Sequence, residues 1–190
     1  MEGRTIEIDD SGTGDLVGDA FIGFHVKETG KIIFRSIPVG LYNEENWKNK
    51  EPYKKAVEII KEGLQELNFN KNKDTIHLCR GDCFRRVRTY FDKKNIDYIP
   101  SVIEGTLQDA VEGRLISHLR KLGVKSRGLT KKAGAKRYFI LLNWLCRDFF
   151  NRERFVKTGF KSWRKRRRKE AIQRYHNYLD SQKKQKGKSS

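Results

Sequence analysis

The chain has 190 residues, 42 Lys/Arg against 24 Asp/Glu, and a net charge of +18. That length suits one domain with a sizeable core, and the excess cation favours a polyanionic partner through counterion release. No 18-residue apolar run and no signal peptide is readable, which disfavours a membrane protein. Together with three cysteines that form no disulfide framework (Cys79, Cys83, Cys146), this gives the expectation of a cytoplasmic protein with ordinary buried thiols.

The first strand is expected over Arg4–Asp9, where Ile6 and Ile8 alternate with polar residues. It delivers Asp9 and Asp10 to the turn Ser11-Gly12-Thr13-Gly14-Asp15-Leu16-Val17-Gly18. Adjacent carboxylates held on rigid backbone attract a divalent cation, and glycines beside them let backbone approach a phosphate. A second strand is expected over Val17–Lys27 and a third over Lys31–Val39, joined by the turn Glu28-Thr29-Gly30-Lys31. Glu51–Leu67 reads as a helix with Pro52 in its first turn and Ala56, Val57, Ile60 and Leu64 on one face. Thr75–Cys79 reads as a buried strand, Cys83–Lys94 as a helix, Asp97–Ile103 as a fifth strand, and Thr106–Leu122 as a helix closed by Gly123.

Beyond a basic loop at 125–134, which could act as a clamp, Ala135–Val156 is apolar round much of its circumference and is expected to form one long buried helix. Lys161–Asp180 reads as a basic helix, and Gln182–Ser190 as a polar, disordered tail. The last 44 residues carry 16 Lys/Arg and four acids. Phe160, Trp163, Tyr175 and Tyr178 lie among those cations, a pattern that suits stacking on unpaired bases as well as packing onto a core. The division expected is 1–156 as a catalytic domain and 157–190 as a basic helix and tail.

The order β-β-β-α-β-α-β-α predicts an α/β fold: a five-stranded mixed sheet flanked by helices, with extra C-terminal helices. This order resembles the ribonuclease H-like superfamily, over roughly residues 4 to 122. Asp9-Asp10-Ser11-Gly12-Thr13-Gly14 is similar to the type 2 ribonuclease H signature Asp-Glu-x-Gly-x-Gly. Asp82, after the fourth strand, and Glu104, after the fifth, stand where that superfamily carries further acids. Two positions differ. Asp10 replaces a glutamate, and Thr13 replaces the arginine that helps those enzymes read an RNA–DNA junction. The chain also looks like the small archaeal branch of this fold that trims single-stranded DNA.

The resemblance implies a nuclease that uses two Mg²⁺ or Mn²⁺ ions to position a water and stabilise the leaving oxygen. It makes Asp9, Asp82 and Glu104 the metal ligands, with Asp10 a further catalytic acid. Asp109 and Asp148 compete for the last place, against bland readings as a helix-start acid and a salt-bridged acid. Gly12, Thr13, Gly14, Arg80, Arg164, Arg166 and Arg167 are the expected nucleic-acid contacts. The activity expected first is a 3′–5′ exonuclease on single-stranded DNA. An RNA–DNA hybrid endonuclease and a non-catalytic nucleic-acid-binding protein stay open as alternatives. A homo-oligomer closing a channel would suit the first, though no residue specifies one.

Overall fold

The computed structural model describes residues 3–130 and 135–186. Five strands form one mixed sheet in the order β3-β2-β1-β4-β5: β1 Thr5–Ser11, β2 Ala20–Val26, β3 Lys31–Ile37, β4 Thr75–Cys79 and β5 Ile99–Ser101. The first three strands are antiparallel neighbours, whereas β4 runs parallel to β1 and β5 parallel to β4. The expected α/β class and mixed five-stranded sheet are therefore present. β1 sits at the centre, so its end is walled by a strand on each side. β5 is an edge strand shorter than the Asp97–Ile103 expected, because Pro100 lies within it and cannot donate to a further ladder.

Alternation along the strands divides the core into two layers. Ile6, Ile8, Phe24, Ile76 and Leu78 meet α2 (Glu51–Glu66) and α3 (Arg85–Lys94) on one face. At the closest point of this layer, a Cβ added at Gly63 of α2 would stand 2.3 Å from the Phe24 ring, so the helix lies on β2 where it has no side chain. Phe21 and Val17 turn to the other face, where α4 (Thr106–Lys121) buries Val111, Leu115 and Leu119. Short helical turns at Val39–Tyr42 and in α1 (Glu44–Lys48), absent from the sequence reading, cross between β3 and α2.

The single helix expected over Ala135–Val156 is broken. It divides into α5 (Ala135–Cys146), α6 (Phe149–Arg152) and a 3₁₀ turn at Glu153–Phe155. The cause is that its apolar residues serve different partners. Val156 bridges Val17, Phe149 lies parallel to Trp163 at 6.4 Å, and Arg152 folds back to cover the Trp144 ring at 4.6 Å. Arg152 also donates to the Trp144 carbonyl at 2.5 Å and so closes the end of α5. A π-helical turn at Trp163–Arg167 then leads into α7 (Arg168–Lys186), which carries helix into the tail expected to be disordered, while residues 187–190 of that tail lie outside the described residues. The basic loop likewise ends in residues 131–134, outside the described residues.

Packing is continuous across position 156. Lys157 and Trp163 are both fully buried, and Trp163 and Ala171 join the core layer formed by α4 and α5. Among the described residues no helix is long and apolar enough to cross a membrane.

Candidate metal and substrate site

β1 leaves the centre of the sheet carrying Asp9 and Asp10. Nearest ligand atoms of Asp9, Asp10 and Cys79 all lie within 4.8 Å of one another. Cys79 comes from the end of β4, which pairs in register with β1 up to Ile8 and Leu78. The chain leaving β4 passes tightly against this group. A Cβ added at Gly81 would stand 2.7 Å from Asp10 Oδ1, so glycine is required there for close approach. Asp10 Oδ2 accepts from Thr13 Oγ1 at 2.7 Å.

Asp9 is buried and Asp10 half-buried. Burial raises both carboxyls above the ordinary range. The nearby charge of Glu112 pushes both the same way, while hydrogen bonds from Cys79 to Asp9, and from Thr13 and Cys83 to Asp10, oppose the shift. The thiols respond in kind. Burial and the neighbouring Asp9 push Cys79 up to about 12, and burial and Asp10 push Cys83 well up. They are therefore protonated hydrogen-bond donors at neutral pH. Among the described residues neither Asp9 nor Asp10 makes an ion pair.

Two adjacent carboxylates supply oxygen donors, the ligand type that a hard divalent cation takes. A protonated thiol suits the carboxylates as a donor and suits Mg²⁺ poorly as a ligand. The donor set therefore fits one Mg²⁺ or Mn²⁺. A second ion would need further carboxylate oxygens, and neither Asp82 nor Glu104 belongs to the group.

The glycine loop is held from the far end of the chain. Lys157 Nζ, fully buried, donates to the Gly12 and Asp15 carbonyls, the latter at 3.2 Å, and lies 4.8 Å from the Tyr42 ring. Burial depresses its amine to about 8. Gly12 adopts φ +83°, with Leu115 packed where a side chain would point, and Gly18 N donates to the Phe155 carbonyl at 2.9 Å. Beyond the loop, Arg137 pairs with Asp15 at 2.9 Å and with Glu112 at 2.6 Å.

The other expected site residues are dispersed. Asp82 is exposed, accepts from Tyr53 Oη at 2.7 Å and pairs with Arg85 at 2.5 Å; the Tyr53 hydrogen bond and Arg85 hold its carboxyl below the usual range. Glu104 is exposed just past β5, two strands from Asp9. Asp109 lies in the first turn of α4, and Asp148 pairs with Arg152 at 3.7 Å. Gly14 is open, with nothing within 4 Å of an added Cβ. Arg80 is exposed and reaches the Pro100 carbonyl at 3.4 Å. Arg164, Arg166 and Arg167 each meet an acid, respectively Glu44 at 2.6 Å, Glu170 at 3.1 Å and Glu170 at 2.8 Å. Trp163 packs into the core and cannot stack on a base.

Sequence reading missed Glu112, Lys157 and the two thiols. Glu112 had a usable signal. At about 100° per residue it falls about 80° from the centre of the inward face of α4, whereas Asp109 falls about 140° away. Lys157 had none, since its burial depends on a contact 145 residues distant.

Beside the acids lies a cavity of about 270 Å³ walled by Tyr42, Trp47, Tyr53 and Phe160, with Thr13, Asp82 and Cys83 at its edge. A separate groove of about 520 Å³ carries Lys125, Arg147 and Arg152 next to Trp144. Compared with known proteins, the sequence matches no family model and no curated protein.

Proposed function

We propose that the chain is a divalent-metal-dependent nuclease that hydrolyses phosphodiester bonds of single-stranded DNA, trimming it from the 3′ end. The observation that carries this reading is the Asp9–Asp10 pair. Two carboxylates at the end of the central strand share a buried corner, and among the described residues neither makes an ion pair, an arrangement that is costly unless hydrogen bonds or a ligand compensate it. The strand order β3-β2-β1-β4-β5 supports the ribonuclease H-like reading of the fold.

Asp9 and Asp10 would hold Mg²⁺ or Mn²⁺, which when bound supplies polarisation of the phosphate and of the attacking water. The chain's own residues do the rest. Thr13 and the two thiols fix the carboxylate rotamers through their donated hydrogen bonds. Lys157 holds the glycine loop in one shape, so Thr13 stays in place. The cations of the 125–152 groove and of the C-terminal helix offer sites for backbone phosphates. Thr13 occupies the position of a junction-reading arginine, which favours a single strand over an RNA–DNA hybrid.

End-labelled single-stranded DNA, duplex DNA, RNA and RNA–DNA hybrid, incubated with Mg²⁺, Mn²⁺ or EDTA, test the reading. Metal-dependent shortening of the single strand is expected, with a ladder that gives the polarity. Mn²⁺ should also raise the melting temperature of the wild type and not of Asp9→Asn, because a ligand bound only by the native state stabilises it. Cleavage in EDTA, or cleavage undiminished in Asp9→Asn, defeats the proposal. Binding to all four nucleic acids without cleavage in any metal would favour the non-catalytic alternative.

A further inference from the structure

We propose that the aromatic cavity beside Asp10 is a pocket for one unpaired nucleobase at the end of a DNA single strand. This rests on the nuclease reading for its occupant, though its geometry is independent of it.

Four rings make the walls. Trp47 is central, 6.0 Å from Tyr42 at an interplanar angle of 25°, 5.8 Å from Tyr53, and 5.1 Å edge-on to Phe160. Ring faces of this kind stack on any base, because every base has a π face. The walls are also preformed. Gly159 runs so close beneath Trp47 that an added Cβ would stand 2.5 Å from the Trp47 Cβ, and its N–H donates to the Tyr42 carbonyl at 2.7 Å. Little ordering is therefore left for binding to impose. A volume of about 270 Å³ lies at the small end of ligand pockets, with room for one ring system and none for a base pair.

Position and charge select the occupant. Thr13 lines the cavity and donates to Asp10, so a base seated there holds its neighbouring phosphate next to the carboxylates. Cations stand round the rim. Lys50 lies 5.8 Å from the Trp47 ring, and Arg85 pairs with Asp82, which lines the cavity. Asp82 and the Tyr53 hydroxyl, hydrogen-bonded to each other at 2.7 Å, put polar oxygens with remaining acceptor capacity on an otherwise apolar wall, suited to the amino or imino edge of a base. An apolar peptide side chain would leave both the rim cations and these polar groups without use.

The experiment compares fluorescein-labelled octathymidylates, in EDTA so that no cleavage occurs, carrying thymine throughout or an abasic residue at one end. The full-length chain is titrated and both anisotropy and tryptophan quenching are read. An abasic residue at one terminus should weaken binding to the wild type about tenfold. Trp47→Phe should keep that difference, and Trp47→Leu or Tyr53→Leu should abolish it. Equal binding of intact and abasic strands at both ends overturns the pocket, as does a difference that survives both leucine substitutions. If Trp47→Leu does not fold by circular dichroism, the wild-type comparison and Tyr53→Leu still decide. Cleavage of the same strands in Mn²⁺ is scored separately. Base-dependent binding without cleavage removes the nuclease reading and keeps the pocket, whereas cleavage indifferent to the terminal base does the reverse.

Discussion

Two pairs of acids lie near the end of β1, and the protein treats them in opposite ways. Asp15 and Glu112 share the guanidinium of Arg137, whose own side chain is only 12% exposed. Asp9 and Asp10 receive a hydroxyl and two thiols, and among the described residues no guanidinium or ammonium forms an ion pair with either. The first arrangement shares one half-buried cation between two acids and holds the loop and α4 together. The second leaves like charges in a poorly solvated corner, with donors that orient the oxygens without discharging them.

The largest effect that could break this contrast is on activity. Asp9→Asn should lower cleavage of single-stranded DNA by more than about 100-fold, since even the outer partners of metal ligands cost 10- to 100-fold when removed. The same variant should melt no lower than the wild type in EDTA, because it relieves a buried charge. A drop in melting temperature would place Asp9 among the structural acids.

Arg137→Met makes the converse case. It strands Asp15 and Glu112, and should destabilise the fold by about 3 kcal/mol in urea denaturation. Unchanged stability would mean that the pair is not held by Arg137 in the way its geometry indicates.

A third acid sharpens the comparison through pH. Asp74 is held by Arg4 at 2.6 Å with its own side chain 4% exposed, and the hydrogen bond from Arg4 lowers its carboxyl to about 2 from an ordinary 3.8. A folded-state value below the unfolded one gives stability that is complete above pH 4 and is lost as the pH falls from about 4 to about 2. The loss should be about 1–2 kcal/mol, given that Arg4 is partly solvated, and Asp74→Asn should remove it from the acid limb of the stability profile.

The smallest effect belongs to Glu104→Gln. This exposed acid, outside the close group, should change cleavage by less than about threefold, well inside the range of surface substitutions. A loss comparable with that of Asp9→Asn would bring Glu104 into the metal site and redraw it.

Much of the first 122 residues was legible because period-two and period-3.6 patterns there separate strands from helices, although the sheet is covered on both faces. Ile6 and Ile8 against Glu7 and Asp9, or Ala56, Ile60 and Leu64 along α2, leave little choice. The stretch from Ala135 to Val156 was misread because its apolar residues have three destinations, and periodicity records that a residue is buried without recording against what. Asp9 and Asp10 could be read as a pair, since neighbours at a strand end stay neighbours. Their company could not. Cys79 reaches the acids through strand register, Cys83 through the 3₁₀ turn that follows β4, and Glu112 through the packing of α4 on the sheet. The aromatic pocket draws on Tyr42, Trp47 and Tyr53, close together in sequence, and on Phe160, more than a hundred positions on, so no local window contains it whole.

The Lys157 ammonium on the Gly12 and Asp15 carbonyls also sets an order of events during synthesis. The acids emerge from the ribosome well before the strap on their loop and the Phe160 wall. A nascent chain, or a product truncated before residue 157, has both carboxylates but lacks the fixed loop and the closed cavity. The loop beside the acids is thereby left unfixed until residue 157 has been made.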